Sequence, residues 1–238
     1  MNEGSSRRRD SVDIYRIRLD IPEARWSELT AQLTEPEQAR ANRFLSASKR
    51  REFTITRTAL RRILAQTLNE QVSGISITHQ QQGKPCLDGS KHGHEIQFSV
   101  SHSHDVALVA VARNRDIGID VEKVRDDIEH ETLAQRFFSE SEFTALRHYD
   151  GHERLRAFFA VWTRKEAVVK AQGGGIALGL KQFDVSVDPD TAPRVLATRW
   201  QQPGIPEWAL ADIDAGPGYA ACLAVNGNIP PIILHEIN

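Results

Sequence analysis

The chain has 238 residues, 40% apolar and 26% charged, and a formal net charge of −2 from 30 Lys and Arg against 32 Asp and Glu. That composition suits one large globular domain or two of about 100 residues each, and near-neutral charge excludes bulk attraction to nucleic acid or an anionic membrane surface. No run of about 18 apolar residues is present to span a bilayer, and two cysteines, Cys86 and Cys222, are too few for a disulfide scaffold or a cysteine zinc site and point to a reducing cytoplasm.

The opening MNEGSSRRRD carries no apolar segment after its arginines, so residues 1–11 read as a disordered arm rather than a secretory signal. Residues 12–19 alternate like a strand, and 35–45 and 49–68 have helical periodicity. Arg40, Arg43, Arg50, Arg51 and Arg57 flank that helix pair; some form a solvated face, and a cluster near His102 would suit a second, separate phosphate. A short strand at 75–78 leads into the polar turn HQQQGKP, with Lys84 at its tip. Residues 96–103 and 105–112 read as two strands, and 115–122 as a third. Helices are expected at 130–149 and 152–172, then strands at 183–187, 194–200, 208–214 and 219–225 with Gly/Pro turns between them. Helices and strands mix without a regular βαβ count, so the fold class is α+β. One echo stands out: ANRFLSASKRREF, from 41, resembles AQRFFSESEFTAL, from 134, at an offset of 93 residues. A short self-match arises by chance; the alternative is a duplicated unit, with subdomains 12–113 and 114–238 and a ligand cleft between them.

The chemistry concentrates in a few places. In GIDVE, Asp120 and Glu122 point to one side of a strand while Ile119 and Val121 point to the core. Two neighbouring carboxylates are either a solvated strand end or a seat for a hard cation such as Mg²⁺. On the 152–172 helix, Glu166 falls within the apolar stripe of Leu155, Phe158, Phe159, Trp162 and Val169. A carboxylate so placed needs a buried Arg or Lys, or a shared metal. Lys170 lies one turn further on the same side. His102, between Ser101 and Ser103 at a strand-to-strand transition, suits a phosphate. HSHD and HGH lack zinc-site spacing and partners. His92, His94, His130, His148 and His152 read as solvent histidines, and His79 and His104 as structural.

GKP (83–85), FSVSHS (98–103), GIDVE (118–122), RFFSESE (136–142) and WTRKEAVVKAQGGGI (162–176) occur in that order. This set resembles the Sfp-type 4′-phosphopantetheinyl transferases, from about Asp13 to Val225. The resemblance implies two similar α/β halves related by a pseudo-twofold axis. It also implies transfer of the phosphopantetheine arm of coenzyme A to a serine of an acyl or peptidyl carrier protein domain, in the manner of a holo-acyl-carrier-protein synthase, releasing adenosine 3′,5′-bisphosphate. Mg²⁺ and the coenzyme are then expected between the halves. By matching motif, Asp120, Glu122 and Glu166 would hold the metal. Lys84, Pro85, Ser101 and His102 would bind the coenzyme, and Lys170 its bridging pyrophosphate. Glu142 would join the metal or proton chemistry beside Glu166 and Lys170. Arg40 and Arg51 would replace the family's basic residues at the 3′-phosphate. Ser99 stands where the family usually has Asn, which implies a looser turn there. A cytoplasmic monomer without nucleic-acid or membrane partners is expected. The carrier would dock near the loop 85–97 or the 130–149 helix. Two rivals share these residues: another Mg²⁺-dependent phosphoryl-transfer enzyme such as a nuclease, and a non-catalytic protein that only holds coenzyme A or a carrier.

Overall fold

Alternation in the strands builds the architecture. In the computed structural model, which describes residues 11–173, 179–200 and 207–237, a strand β5 (Val106–Arg113) buries both of its faces. Ala107, Val109 and Val111 face one apolar cluster, and Leu108, Ala110 and Ala112 face another. It lies in a four-stranded sheet with β1 (Val12–Arg18), β4 (Ile96–Ser103) and β11 (Ile232–Ile237), in the order β11-β1-β5-β4. A second sheet has the order β6-β10-β9, from β6 (Ile117–Lys123), β9 (Trp208–Asp212) and β10 (Tyr219–Asn226). Residues 1–10 of the expected 1–11 arm and the glycine run from 174 to Ile176 lie outside the described residues, while Ser11 is buried against the fold.

The two sheets pack face to face, and a long helix covers each outer face. Ile117, Ile119, Val121, Leu223 and Val225 of the second sheet meet Ile14, Leu108 and Ala110 of the first. The helix α3 (Ala47–Leu68) lays Ile55, Leu60, Ile63 and Leu64 on the first sheet. The helix α7 (Gly151–Gln172) packs Phe158, Val161 and Val168 in a cluster with Cys222 and Ala224 of the second. Burying each such side chain contributes about 1.5–3 kcal/mol. The order is thus helix, sheet, sheet, helix, an α+β arrangement. Residues 113 and 114 lie at the β5–β6 turn, yet β11 returns from the second half to pair in parallel with β1 of the first.

Several elements differ from expectation. The 130–149 segment is two helices, α5 (His130–Phe137) and α6 (Glu140–Leu146). Ser139 breaks it: its extended backbone lets the hydroxyl accept from Glu142 N, while the Glu142 carboxylate accepts from Ser139 N at 2.8 Å. This S-x-x-E capping box satisfies two backbone donors that a continuous helix would use elsewhere. The loop 85–97 holds a strand β3 (Pro85–Leu87), paired with β2 (Ile77–His79), and one helical turn, α4 (Gly89–His92). His92 is not a solvent histidine: its Nε2 accepts from Ser76 N at 3.0 Å, and Nδ1 lies 3.2 Å from Glu70. The helices α1 (Glu23–Thr30) and α2 (Glu35–Asn42) precede α3, and β7 (Phe183–Val185) pairs with β8 (Val195–Thr198) beyond α7.

Candidate active site

Gly118 sets the site's dimensions. A Cβ there would lie 2.0 Å from the Ala167 carbonyl oxygen and 2.3 Å from Ala171 N. The backbone of α7 therefore rests directly on β6, an approach open only to glycine. This brings Glu166 and Lys170, on α7, beside Asp120 and Glu122, on β6. Ile119 and Val121 point the other way and are fully buried between the sheets.

Asp120 is 3% exposed, and its two oxygens differ. Oδ1 accepts from Ser101 Oγ at 2.8 Å and from Lys170 Nζ at 2.7 Å. Oδ2 is buried and has no hydrogen-bond partner. An acceptor left this way costs about 1–3 kcal/mol, which a ligand or cation would offset. Burial first, then the charge of Asp120, raises the pKa of Glu122; Ser103, which donates to Glu122 Oε2 at 2.8 Å, and Lys170 act in the opposite direction. Glu166 is likewise raised by burial and then by Asp120, with Lys170 opposing and Glu122 adding. Glu166 makes no hydrogen bond or ion pair among the described residues. The donor set is carboxylate oxygen alone, which suits a hard divalent cation. Among the described residues no three Asp, Glu, His or Cys side chains are already gathered as a metal-binding set. Lys170 instead supplies the positive charge at Asp120.

A cavity of about 240 Å³ opens beside this cluster, lined by Lys84, Pro85, Phe98, Val100, Glu166 and Lys170 among others. It joins the 82–85 turn and β4 of the first half to α7 of the second. Burial pulls the Lys84 ammonium down to about 8, and Nζ donates to the Ile117 carbonyl at 3.1 Å. His102 lies on the α3 side, with Nδ1 3.5 Å from Glu52, and Glu52 is held by Lys49 at 2.7 Å and Ser48 at 3.0 Å. Burial depresses the His102 pKa, and Glu52 opposes that.

The basic residues do not gather as expected. Arg40 and Arg57 both lie over the ring of Phe53, at 5.2 and 5.6 Å, and Arg40 is 3.1 Å from His79 Nε2. Arg51 does not join them, because its guanidinium donates to the Ile21 carbonyl and so holds the β1–α1 loop. Nor does Ser99 loosen a turn: it is 3% exposed within β4, and its hydroxyl accepts from Ile119 N at 3.0 Å.

Glu142 is placed apart from the cluster by its own bonds. Besides capping α6, it accepts from Val185 N at 2.7 Å and pairs with Lys165 at 2.8 Å, with both side chains buried. Lys165 also donates to the carbonyls of Leu180 and Phe183. Its neighbour Arg164, fully buried, pairs with Asp212 at 2.6 Å and donates to the Ser186 and Asp188 carbonyls. These two cations anchor α7, and breaking the Lys165–Glu142 pair, buried on both sides, costs about 3–5 kcal/mol. The sequence reading missed both. The signal was two consecutive cations, Arg164 and Lys165, between the apolar stretches 157–162 and 167–169 of one helix, which demands two acceptors.

Comparison with known proteins gives a consistent picture. Residues 116–224 match the 4′-phosphopantetheinyl transferase superfamily, and residues 21–114 match the family described as 4′-phosphopantetheinyl transferase, N-terminal. The chain is 38% identical over 218 residues to the 4′-phosphopantetheinyl transferase HetI of Nostoc sp., covering 92% of this chain and 89% of that one. It is 32% identical over 191 residues to the 4′-phosphopantetheinyl transferase Sfp of Bacillus subtilis, covering 75% and 78%. A human protein, L-aminoadipate-semialdehyde dehydrogenase-phosphopantetheinyl transferase, is 27% identical over 174 residues, covering 70% and 56%.

Proposed function

The chain belongs to the 4′-phosphopantetheinyl transferase superfamily, and from that premise we propose that it transfers the phosphopantetheine arm of coenzyme A to a serine of an acyl or peptidyl carrier protein domain. The observation that carries this reading is the close approach of β6, which bears Asp120 and Glu122, to α7, which bears Glu166 and Lys170, beside a cavity also lined by Lys84. The serine oxygen forms a bond to the β-phosphorus. The bond from that phosphorus to the bridging oxygen breaks, and adenosine 3′,5′-bisphosphate leaves with the electron pair.

Asp120, Glu122 and Glu166 would hold Mg²⁺, which when bound supplies charge neutralisation on the diphosphate oxygens. The chain's own residues do the rest. Lys170 and Lys84 supply fixed positive charge where the diphosphate gains negative charge. Pro85, on the cavity wall, and Ser101 and His102 would contact the coenzyme, and Arg40 with Arg57 suits its 3′-phosphate. The serine proton goes to Glu166, which lines the cavity beside Lys170. No helix of the described residues is long and apolar enough to cross a membrane. We retain a cytoplasmic monomer as part of the proposal.

The test is the intact mass of a carrier domain incubated with the protein, coenzyme A and Mg²⁺. A gain of one phosphopantetheine, abolished by a chelator, is the expected result. Coenzyme A bound without transfer would favour the non-catalytic reading, and cleavage of nucleic acid without carrier modification would favour the nuclease.

Lys84 provides a pH signature. Burial holds its pKa at about 8, below the ordinary lysine value of 10.5, so its charge is present below pH 8 and lost above it. KM for coenzyme A is therefore expected to rise as pH passes 8, whereas Lys84→Met should show a higher KM that does not respond over that range. A wild-type KM that stays flat to pH 9 would remove Lys84 from diphosphate binding.

A further inference from the structure

Three serines stand at alternate positions along β4. Ser99, Ser101 and Ser103 are 3%, 7% and 8% exposed and face β6. β4 is the edge of one sheet and β6 the edge of the other, and the two pack along a seam without strand pairing. The edge N–H groups of β6 still need acceptors. Ser99 Oγ accepts from Ile119 N at 3.0 Å, and Ser103 Oγ accepts from Lys123 N at 3.1 Å. Hydroxyls thus stand where a neighbouring strand would offer carbonyls.

Ser103 does more than satisfy this seam. A hydroxyl has one proton to donate and can accept as well. Ser103 Oγ lies 2.8 Å from Glu122 Oε2, with His104 Nδ1 at 3.4 Å on another side. Ser101 makes the equivalent contact with Asp120 Oδ1 and also accepts from Lys170 at 2.9 Å. Ser99 has only the backbone contact among these. The row therefore contains a built-in comparison: one hydroxyl serves the seam alone, and another serves the seam and a carboxylate.

We propose that Ser103 is a positioning residue for Glu122, fixing that side chain so that it and Asp120 face one cation. This rests on the reading of Asp120, Glu122 and Glu166 as metal ligands. Hydrogen-bond partners of a metal ligand typically tune metal affinity 10–100-fold. A purely structural serine would change stability and leave metal affinity alone.

The experiment measures Mn²⁺ affinity by calorimetry, with coenzyme A present, alongside the melting temperature and KM for coenzyme A. Ser103→Ala is expected to weaken Mn²⁺ binding about tenfold or more with KM for coenzyme A near wild type. Ser103→Thr, which keeps the hydroxyl on a strand that accepts β-branched residues, should restore Mn²⁺ binding. Ser99→Ala should lower the melting temperature without weakening Mn²⁺. Wild-type Mn²⁺ affinity in Ser103→Ala, or equal Mn²⁺ losses in Ser99→Ala and Ser103→Ala, would overturn the proposal. Should Ser103→Ala fail to fold, Ser103→Cys keeps the volume with a weaker donor and must still bind Mn²⁺ less tightly than wild type. A wild-type protein that binds no Mn²⁺ would instead remove the metal site itself, a different failure from one confined to Ser103.

Discussion

Glu166→Gln is expected to slow carrier modification by at least about 10²-fold, the scale of a lost proton acceptor, while the variant melts at or above the wild-type temperature. The two effects share a cause. Burial and the charge of Asp120 raise the Glu166 pKa above the ordinary carboxylate value. The ionised side chain is thus penalised in the folded state; this penalty is present above the folded pKa and vanishes below the unfolded one. At pH 7 the neutral amide removes that penalty. It loses no hydrogen bond, since Glu166 has none among the described residues. Turnover falls because the amide can neither take a proton nor hold a cation. Enzyme assay and thermal melt on one preparation check both halves. Wild-type turnover would withdraw the assigned role, and a collapse in stability would show Glu166 to be structural.

Gly118→Ala should have the second large effect, and here stability and activity should fall together. The new methyl meets backbone atoms of Ala167 and Ala171 rather than the flexible end of a side chain. Relief requires α7 to withdraw from β6 by about 1 Å, and overpacking of this type costs about 1–3 kcal/mol or more. A shift of that size at a reacting centre costs about 10²-fold in rate, because Glu166 and Lys170 move away from Asp120. Denaturant unfolding and the transfer assay measure the two losses. A variant with wild-type stability and rate would mean that β6 and α7 do not approach as closely as described.

Much of this site was legible in the sequence because strand and helix periodicity fix which side chains share a face. Ile119 and Val121 against Asp120 and Glu122 follow from a repeat of two, and Glu166 with Lys170 from one helical turn. What periodicity does not carry is which hydrogen bonds already occupy a side chain. Glu142 sits in a motif that matched, yet its carboxylate is used by Ser139, Val185 and Lys165. The resemblance pairs Arg51 with Arg40, but Arg51 turns to the Ile21 carbonyl while Arg57 joins Arg40 at Phe53. β11 was missed because its partner β1 lies at the far end of the chain. Pairing between the two ends leaves no local mark.

We propose that Asp120, Glu122 and Glu166 converge on one cation at the seam between the sheets. The most direct test is Mn²⁺ binding by electron paramagnetic resonance in the wild type, Asp120→Asn, Glu166→Gln and the double variant. The account predicts one bound ion, weakened by each single change, with the double variant losing much less than the combined single losses imply. Single losses that simply add, or an affinity untouched by Glu166→Gln, would contradict it.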